Sequence, residues 1–199
     1  MAQKYIIGID EVGRGPLAGP VTVAAVIAAT VIYRNQRLFF GIKDSKKLSP
    51  EKREEWFKRF KTFKTRLKNF EFAHASVASQ SIDRIGISAA LRLAAKKCLQ
   101  KLDIKNLKQK IVLDGSLYAP DEYINQETII KGDEKVPIIA AASIIAKVIR
   151  DRHMVRMHKK FPQYGFNAHK GYGTKMHQAA IRAHGLCAIH RKTFCRKFL

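Results

Sequence analysis

The first part of the chain is patterned for strands and the later part for helices. The run KYIIGID (4–10) reads as a buried strand that ends on Asp10. Residues 21–32 form a second β-rich run, and RLFFGI (37–42) predicts a third. Ser49-Pro50-Glu51 then supplies an N-cap, a proline at the first helical position and an early acid. Trp56, Phe57, Phe60 and Phe63 give that helix its apolar face. Residues 70–76 alternate as a strand, 85–102 carry helical periodicity, and KIVLD (110–114) is a short buried strand ending on Asp114. A long helix over 138–160, a Gly- and aromatic-rich loop over 164–174, a helix over 175–183 and a basic tail complete the pattern. The tail CRKFL (195–199) is expected to lack order. The order of elements predicts a mixed α/β fold.

Length and composition fit a single domain of 199 residues with a proper core. Charge changes the picture. Lys and Arg number 38 against 16 Asp and Glu, a formal net charge of +22. That excess points to a polyanionic partner, because each neutralised phosphate releases condensed counterions; a ribosome-like or membrane-surface protein would show it too. Beyond Asp151 there is no acid, while 11 Lys and Arg and six of the seven His fall in residues 152–199. A solvated face normally mixes signs, so this basic helical C-terminal extension is the candidate nucleic-acid surface. The start of the chain predicts no secretory signal, since residues 1–4 lead directly into Tyr5-Ile6-Ile7. The longest apolar run, 21–31, is shorter than the roughly 20 residues that span a bilayer. Three cysteines without a CxxC pair fit a reducing, cytoplasmic setting.

In so basic a chain, acids at the ends of apolar strands stand out. Asp10 is followed by Glu11, and Asp114 by Gly115. Neighbouring strands run ~4.8 Å apart, so such carboxylates can share ions held roughly 3.5–4 Å apart, as in two-metal phosphoryl chemistry. Hard oxygen ligands favour Mg²⁺ or Mn²⁺. Strand-end acids also cap turns, and spacing alone leaves both readings open. Adjacent strand residues face opposite ways, so a role for Glu11 beside Asp10 predicts that the strand breaks at Glu11.

The run DEVGRGPLAGP (10–20) closely resembles the opening motif of the bacterial ribonuclease HII family, the type 2 ribonucleases H. The similarity continues through DSKKLS (44–49), LDGS (113–116), KGDEKVPIIAAASIIAKVIRD (131–151), YGFNAHKGYGT (164–174) and HRKTF (190–194), in family order across nearly the whole chain. It implies a ribonuclease H-like mixed β-sheet flanked by helices, with a C-terminal helical extension. It also implies four metal-binding catalytic carboxylates: Asp10, Glu11, Asp114 and Asp133. Asp133 comes from the resemblance alone; its rival Asp151 lies four residues from Lys147, a salt-bridge spacing. Gly132 stands where the family usually has Ala, and Thr193 where it usually has Ser.

The resemblance makes Gly13-Arg14-Gly15 the reader of the ribose 2′-hydroxyl, together with Tyr172 between its two glycines. It assigns Ser143 and Lys147, one helical turn apart, to phosphate binding; Lys46 and Lys47 are placed for the same task, and His169 and Lys170 for backbone contacts. The implied reaction is Mg²⁺- or Mn²⁺-dependent hydrolysis on the 5′ side of a ribonucleotide, leaving 5′-phosphate and 3′-hydroxyl ends. RNA–DNA hybrids and duplex DNA containing a ribonucleotide are the implied partners. The chain is expected to act as a monomer, and the sequence identifies no clamp partner. His184, Cys187, His190 and Cys195 have spacing compatible with a zinc knuckle, but without a CxxC-type pair they read as structural residues. A non-enzymatic RNA binder would not need the strand-end acids. A junction resolvase or transposase would have no use for a 2′-hydroxyl reader, and a type 3 ribonuclease H would carry a domain before the first strand.

Overall fold

The computed structural model describes residues 4–42, 44–104 and 108–198. Five strands form one sheet in the order β3-β2-β1-β4-β5: β1 (Lys4–Val12), β2 (Val21–Ala29), β3 (Phe70–Val77), β4 (Lys108–Asp114) and β5 (Gln126–Ile129). β1 is antiparallel to β2 and parallel to β4, and β4 is parallel to β5. The mixed sheet flanked by helices is therefore present. β5, with the sequence QETI, is a short and largely polar edge strand; it carries no apolar alternation from which it could be anticipated.

Apolar residues on the two sheet faces bury different helices. Ile7, Ile9, Val23, Ile111 and Leu113 pack against α4 (Ser79–Ile85) and α5 (Ile87–Lys101). The opposite face, with Val26 and Val112, packs against α3 (Pro50–Arg66) and α7 (Pro137–Lys160). α3 begins as expected: Ser49 caps it by accepting the Lys52 N–H, and Pro50 follows. α7 crosses β1 closely because Gly8 lacks a side chain; a Cβ there would lie 2.5 Å from the Ile138 backbone. A third apolar cluster, including Ala18, Met154, Tyr164, Phe166 and Ile181, joins the C-terminal end of α7 to α9 (Lys175–His184).

Residues 37–42 do not form the third strand. β2 ends at Ala29, and α1 (Thr30–Tyr33) and α2 (Gln36–Phe39) follow as single helical turns. Both edges of β2 are already occupied by β1 and β3, so this apolar run covers the core instead: Phe39 is buried against Tyr33. The tail is ordered as far as it is described. Cys195 is fully buried and Arg196–Phe198 forms a 3₁₀ turn; Leu199 lies outside the described residues. Among the described residues, no helix is long and apolar enough to cross a membrane.

Candidate active site

Register brings the first two acids together. Ile9 pairs with Leu113 across the parallel β1–β4 ladder, so Asp10 and Asp114, one residue further on, lie side by side on the face covered by α7. The Asp114 carboxylate then recruits a third acid. Its Oδ1 accepts the Gly132 N–H at 2.6 Å and the Asp133 N–H at 3.3 Å, capping the short helix α6 (Gly132–Lys135). Asp10, Asp114 and Asp133 each offer an oxygen within 4.8 Å of the others, and among the described residues no other group of three His, Cys, Asp or Glu is so arranged. Gly132, a departure from the family pattern, fits this packing, since a Cβ there would meet the Ile139 Cδ1 at 2.7 Å.

The cluster is electrostatically uncomfortable. Burial, then the Glu11 and Asp114 charges, push Asp10 well above the usual carboxylate range, with hydrogen bonding from Ser143 pulling the other way. Burial and the charges of Asp114 and Asp44 raise Asp133. Asp44, which the sequence pattern did not single out, is buried and caps the 3₁₀ turn Ser45–Lys47 by accepting the Lys46 N–H. The Lys46 ammonium reaches Asp133 at 3.5 Å; burial lowers its pKa, but the surrounding acids outweigh this and raise it.

Glu11 sits differently from the expectation. β1 does not break there: it continues to Val12, paired with Thr22, and turns at Gly13 with φ +88°. The Glu11 carboxylate nevertheless stays within hydrogen-bonding reach of the Asp10 side chain, and its charge helps to raise Asp10. Its Oε1 lies 3.6 Å from Arg14, and its Oε2 is buried without a hydrogen-bond partner. Burial raises its pKa; the Asp114 charge adds to this and Arg14 opposes it.

The remaining candidates divide into two groups. Gly13 packs directly on Arg150, whose Nε a Cβ would meet at 2.2 Å, whereas Gly15 faces open space. The Arg14 guanidinium donates to the Ser116 hydroxyl at 2.9 Å, at the edge of a cavity of about 310 Å³ also lined by Ser88, Arg92 and Tyr118. Tyr172 is 41% exposed, and the Arg150 guanidinium lies 5.8 Å from its ring. Arg150 thus bridges the glycine turn and the tyrosine. By contrast, Ser143 is buried, sharing a 2.8 Å hydrogen bond with Ser45. Lys147, one turn further along the same helix, is ion-paired to Asp151 at 2.9 Å. Lys47 pairs with Glu134 at 2.9 Å.

The basic extension is not purely a surface. His169, expected at the substrate backbone, is buried, and its Nε2 lies 2.7 Å from the Tyr164 carbonyl; Lys170 turns its ammonium to the Asn167 carbonyl. His177, His190 and Arg191 are also buried, because together they line the inside of the extension's own core. Cys195 directs its thiol to the Leu17 carbonyl and His190 bonds His177, so the four zinc-knuckle candidates do not converge.

Comparison with known proteins matches this arrangement. The family model for Ribonuclease HII matches residues 7–197. A Ribonuclease HII of Coxiella burnetii is 46% identical over 189 residues, covering 95% of this chain and 87% of the relative. The structure of the ribonuclease H2 from Pyrococcus horikoshii OT3 superposes with a TM-score of 0.72 at 27% identity, covering 98% of this chain and 96% of that one. The structure of the PCNA:RNase HII complex from Archaeoglobus fulgidus gives a TM-score of 0.71 at 27% identity, with 94% and 93% covered.

Proposed function

The chain belongs to the ribonuclease HII family, metal-dependent ribonuclease H endonucleases acting on RNA–DNA hybrids, and on that premise we propose that it also nicks duplex DNA on the 5′ side of an embedded ribonucleotide. The observation that carries the proposal is the juxtaposition of a three-carboxylate cluster with an open glycine turn and an exposed tyrosine, the last two packed on one arginine.

The donor set fits a divalent cation. It is all oxygen, largely buried and mutually repelling, and Glu11 beside it carries a buried oxygen that has no partner. Asp10, Asp114 and Asp133 would hold Mg²⁺ or Mn²⁺, with Glu11 as the fourth carboxylate. Two bound cations would supply activation of the attacking water and neutralise charge on the phosphate and the leaving 3′-oxygen.

The chain's own groups orient the rest. Ser143, held by Ser45, hydrogen-bonds the Asp10 side chain, which favours an orienting role over phosphate contact. Lys46, mostly exposed, balances Asp133 and is free to follow a substrate phosphate. At Gly15 no side chain stands between a sugar and the main chain, so backbone groups can meet a 2′-hydroxyl, while the Tyr172 ring offers a stacking face.

The test is cleavage mapping on a duplex holding one ribonucleotide, with Mg²⁺ and with Mn²⁺. A single nick 5′ of the ribonucleotide, leaving 5′-phosphate and 3′-hydroxyl ends, is expected. An intact duplex alongside a cut all-DNA control overturns the proposal.

A further inference from the structure

Two fully buried arginines spend their donors on main-chain carbonyls of one loop and its neighbour. Arg191 donates to Gly13 at 2.6 Å, Arg14 at 2.9 Å and Gly19 at 3.0 Å. Arg150 donates to Pro20 at 2.9 Å, Lys170 at 3.0 Å and Ala18 at 3.1 Å. Burying a guanidinium against carbonyl dipoles is costly, and burial together with the Arg150 charge pulls Arg191 down to about 10. The returns are geometric: five hydrogen bonds, to residues 13, 14, 18, 19 and 20, fix the path of this stretch where no regular element does.

The residue before Arg191 grips the other half of the substrate reader. The His177 Nδ1 lies 2.9 Å from the Tyr172 carbonyl, which can only accept, so Nδ1 carries the proton. The His177 Nε2 then accepts from the His190 Nε2 at 3.1 Å, and the His190 Nδ1 accepts the Cys187 N–H at 2.9 Å. Both rings are neutral and every nitrogen is used. Burial, which lowers both imidazoles and brings His177 to about 4, agrees with this. The main chain repeats the link: Arg191 N–H donates to Leu17 O at 2.8 Å, and Leu17 N–H to Gly171 O at 2.9 Å.

We propose that the dipeptide His190-Arg191 is a positioning element that sets the Gly13–Gly15 turn and Tyr172 at a common distance, so that selection of a single ribose depends on the C-terminal extension. The inference rests on the ribose-reading role proposed above. None of these bonds reaches the metal-binding carboxylates, so the two functions separate experimentally.

The experiment compares two substrates, a continuous RNA–DNA hybrid and a duplex with one ribonucleotide, for the wild type, Arg191→Lys, His190→Leu and His190→Gln. A hybrid offers a ribose at every register, whereas the single site tolerates no misplacement. Arg191→Lys and His190→Leu should lower kcat on the single-ribonucleotide duplex by about 10²-fold, as a misplacement near 1 Å does, and on the hybrid by about tenfold less. His190→Gln, whose amide can still donate to His177, should restore the ratio. The rise in Tm on adding Mn²⁺ should be retained in all, which reports an intact carboxylate site in a folded chain. Equal losses on both substrates would make the role merely structural and overturn the inference. Should His190→Leu not fold, Arg191→Lys against His190→Gln decides on the same ratio. A wild-type enzyme that cuts the hybrid but leaves the single-ribonucleotide duplex whole would instead overturn the ribose-reading role itself, and this inference with it.

Discussion

Two buried clusters of ionisable groups in this molecule are satisfied in opposite ways. At the ends of β1 and β4, Asp10, Asp114 and Asp133 crowd within 4.8 Å, and burial and mutual repulsion raise Asp10 and Asp133. In the C-terminal extension, His177, His190 and Arg191 are as deeply buried, yet each polar atom meets a carbonyl, an N–H or another ring. The first cluster gathers like charge, which the cation proposed above would offset. The second is complete, and its work is to hold main chain in place. Crowded like charge distinguishes the first cluster, and complete hydrogen bonding the second.

The largest effect is expected from Asp10→Asn. Cleavage should fall by on the order of 10³-fold or more, about 4 kcal/mol of transition-state stabilisation, measured on either substrate. In EDTA the same variant should be more stable than wild type, by about 1 kcal/mol or 2–4 °C in Tm, because like charges have been thinned. A Tm that drops in EDTA would mean that the acids are not frustrated.

Cation binding should stabilise the wild type by about 2.7 kcal/mol when the ion is at 100 times its Kd. Thermal melts in Mg²⁺ and Mn²⁺ check this, and Asp10→Asn should lose most of the gain while Arg191→Lys keeps it.

Acid separates the clusters by sign. His169, His177 and His190 have folded pKa values below the ordinary 6.5, His177 at about 4. Their contribution is complete above pH 6.5 and is lost as the pH falls toward 4. Asp10, Glu11 and Asp133 are raised, so their repulsion weakens as the pH falls. Metal-free Tm should therefore fall from pH 7 to pH 5, and fall more steeply in Asp10→Asn, which lacks part of the compensating relief. A shallower slope in that variant would contradict the assignment.

The smallest effect is expected at Lys47, whose pair with Glu134 at 2.9 Å lies fully exposed and is screened by solvent. Lys47→Ala should shift KM by less than about threefold, far below any carboxylate variant.

Much of this contrast was legible in the residues. The strand ending on Asp10, the strand ending on Asp114 and the Ser49-capped helix follow from periodicity and capping chemistry, and each stands where that chemistry puts it. Family resemblance supplied Asp133, because its place depends on Asp114 capping α6 across 18 residues of chain. Residues 37–42 have strand propensity, but β2 just before them is already flanked by β1 and β3, and the run begins as a helical turn that ends at Phe39. The histidines and Arg191 look like a nucleic-acid surface when counted as charge.

Local residue order sets which strands end in carboxylates, which helices are capped, and the large positive charge of the whole chain. It took the folded chain to show that β1 runs on through Glu11 to Val12, that Asp133 is drawn to Asp114, and which basic residues lie inside. The physical reason is that periodicity and capping act over a few residues. Burial and the pairing of charges are settled by neighbours far away in sequence, as Gly13 and Arg191 are, 178 residues apart.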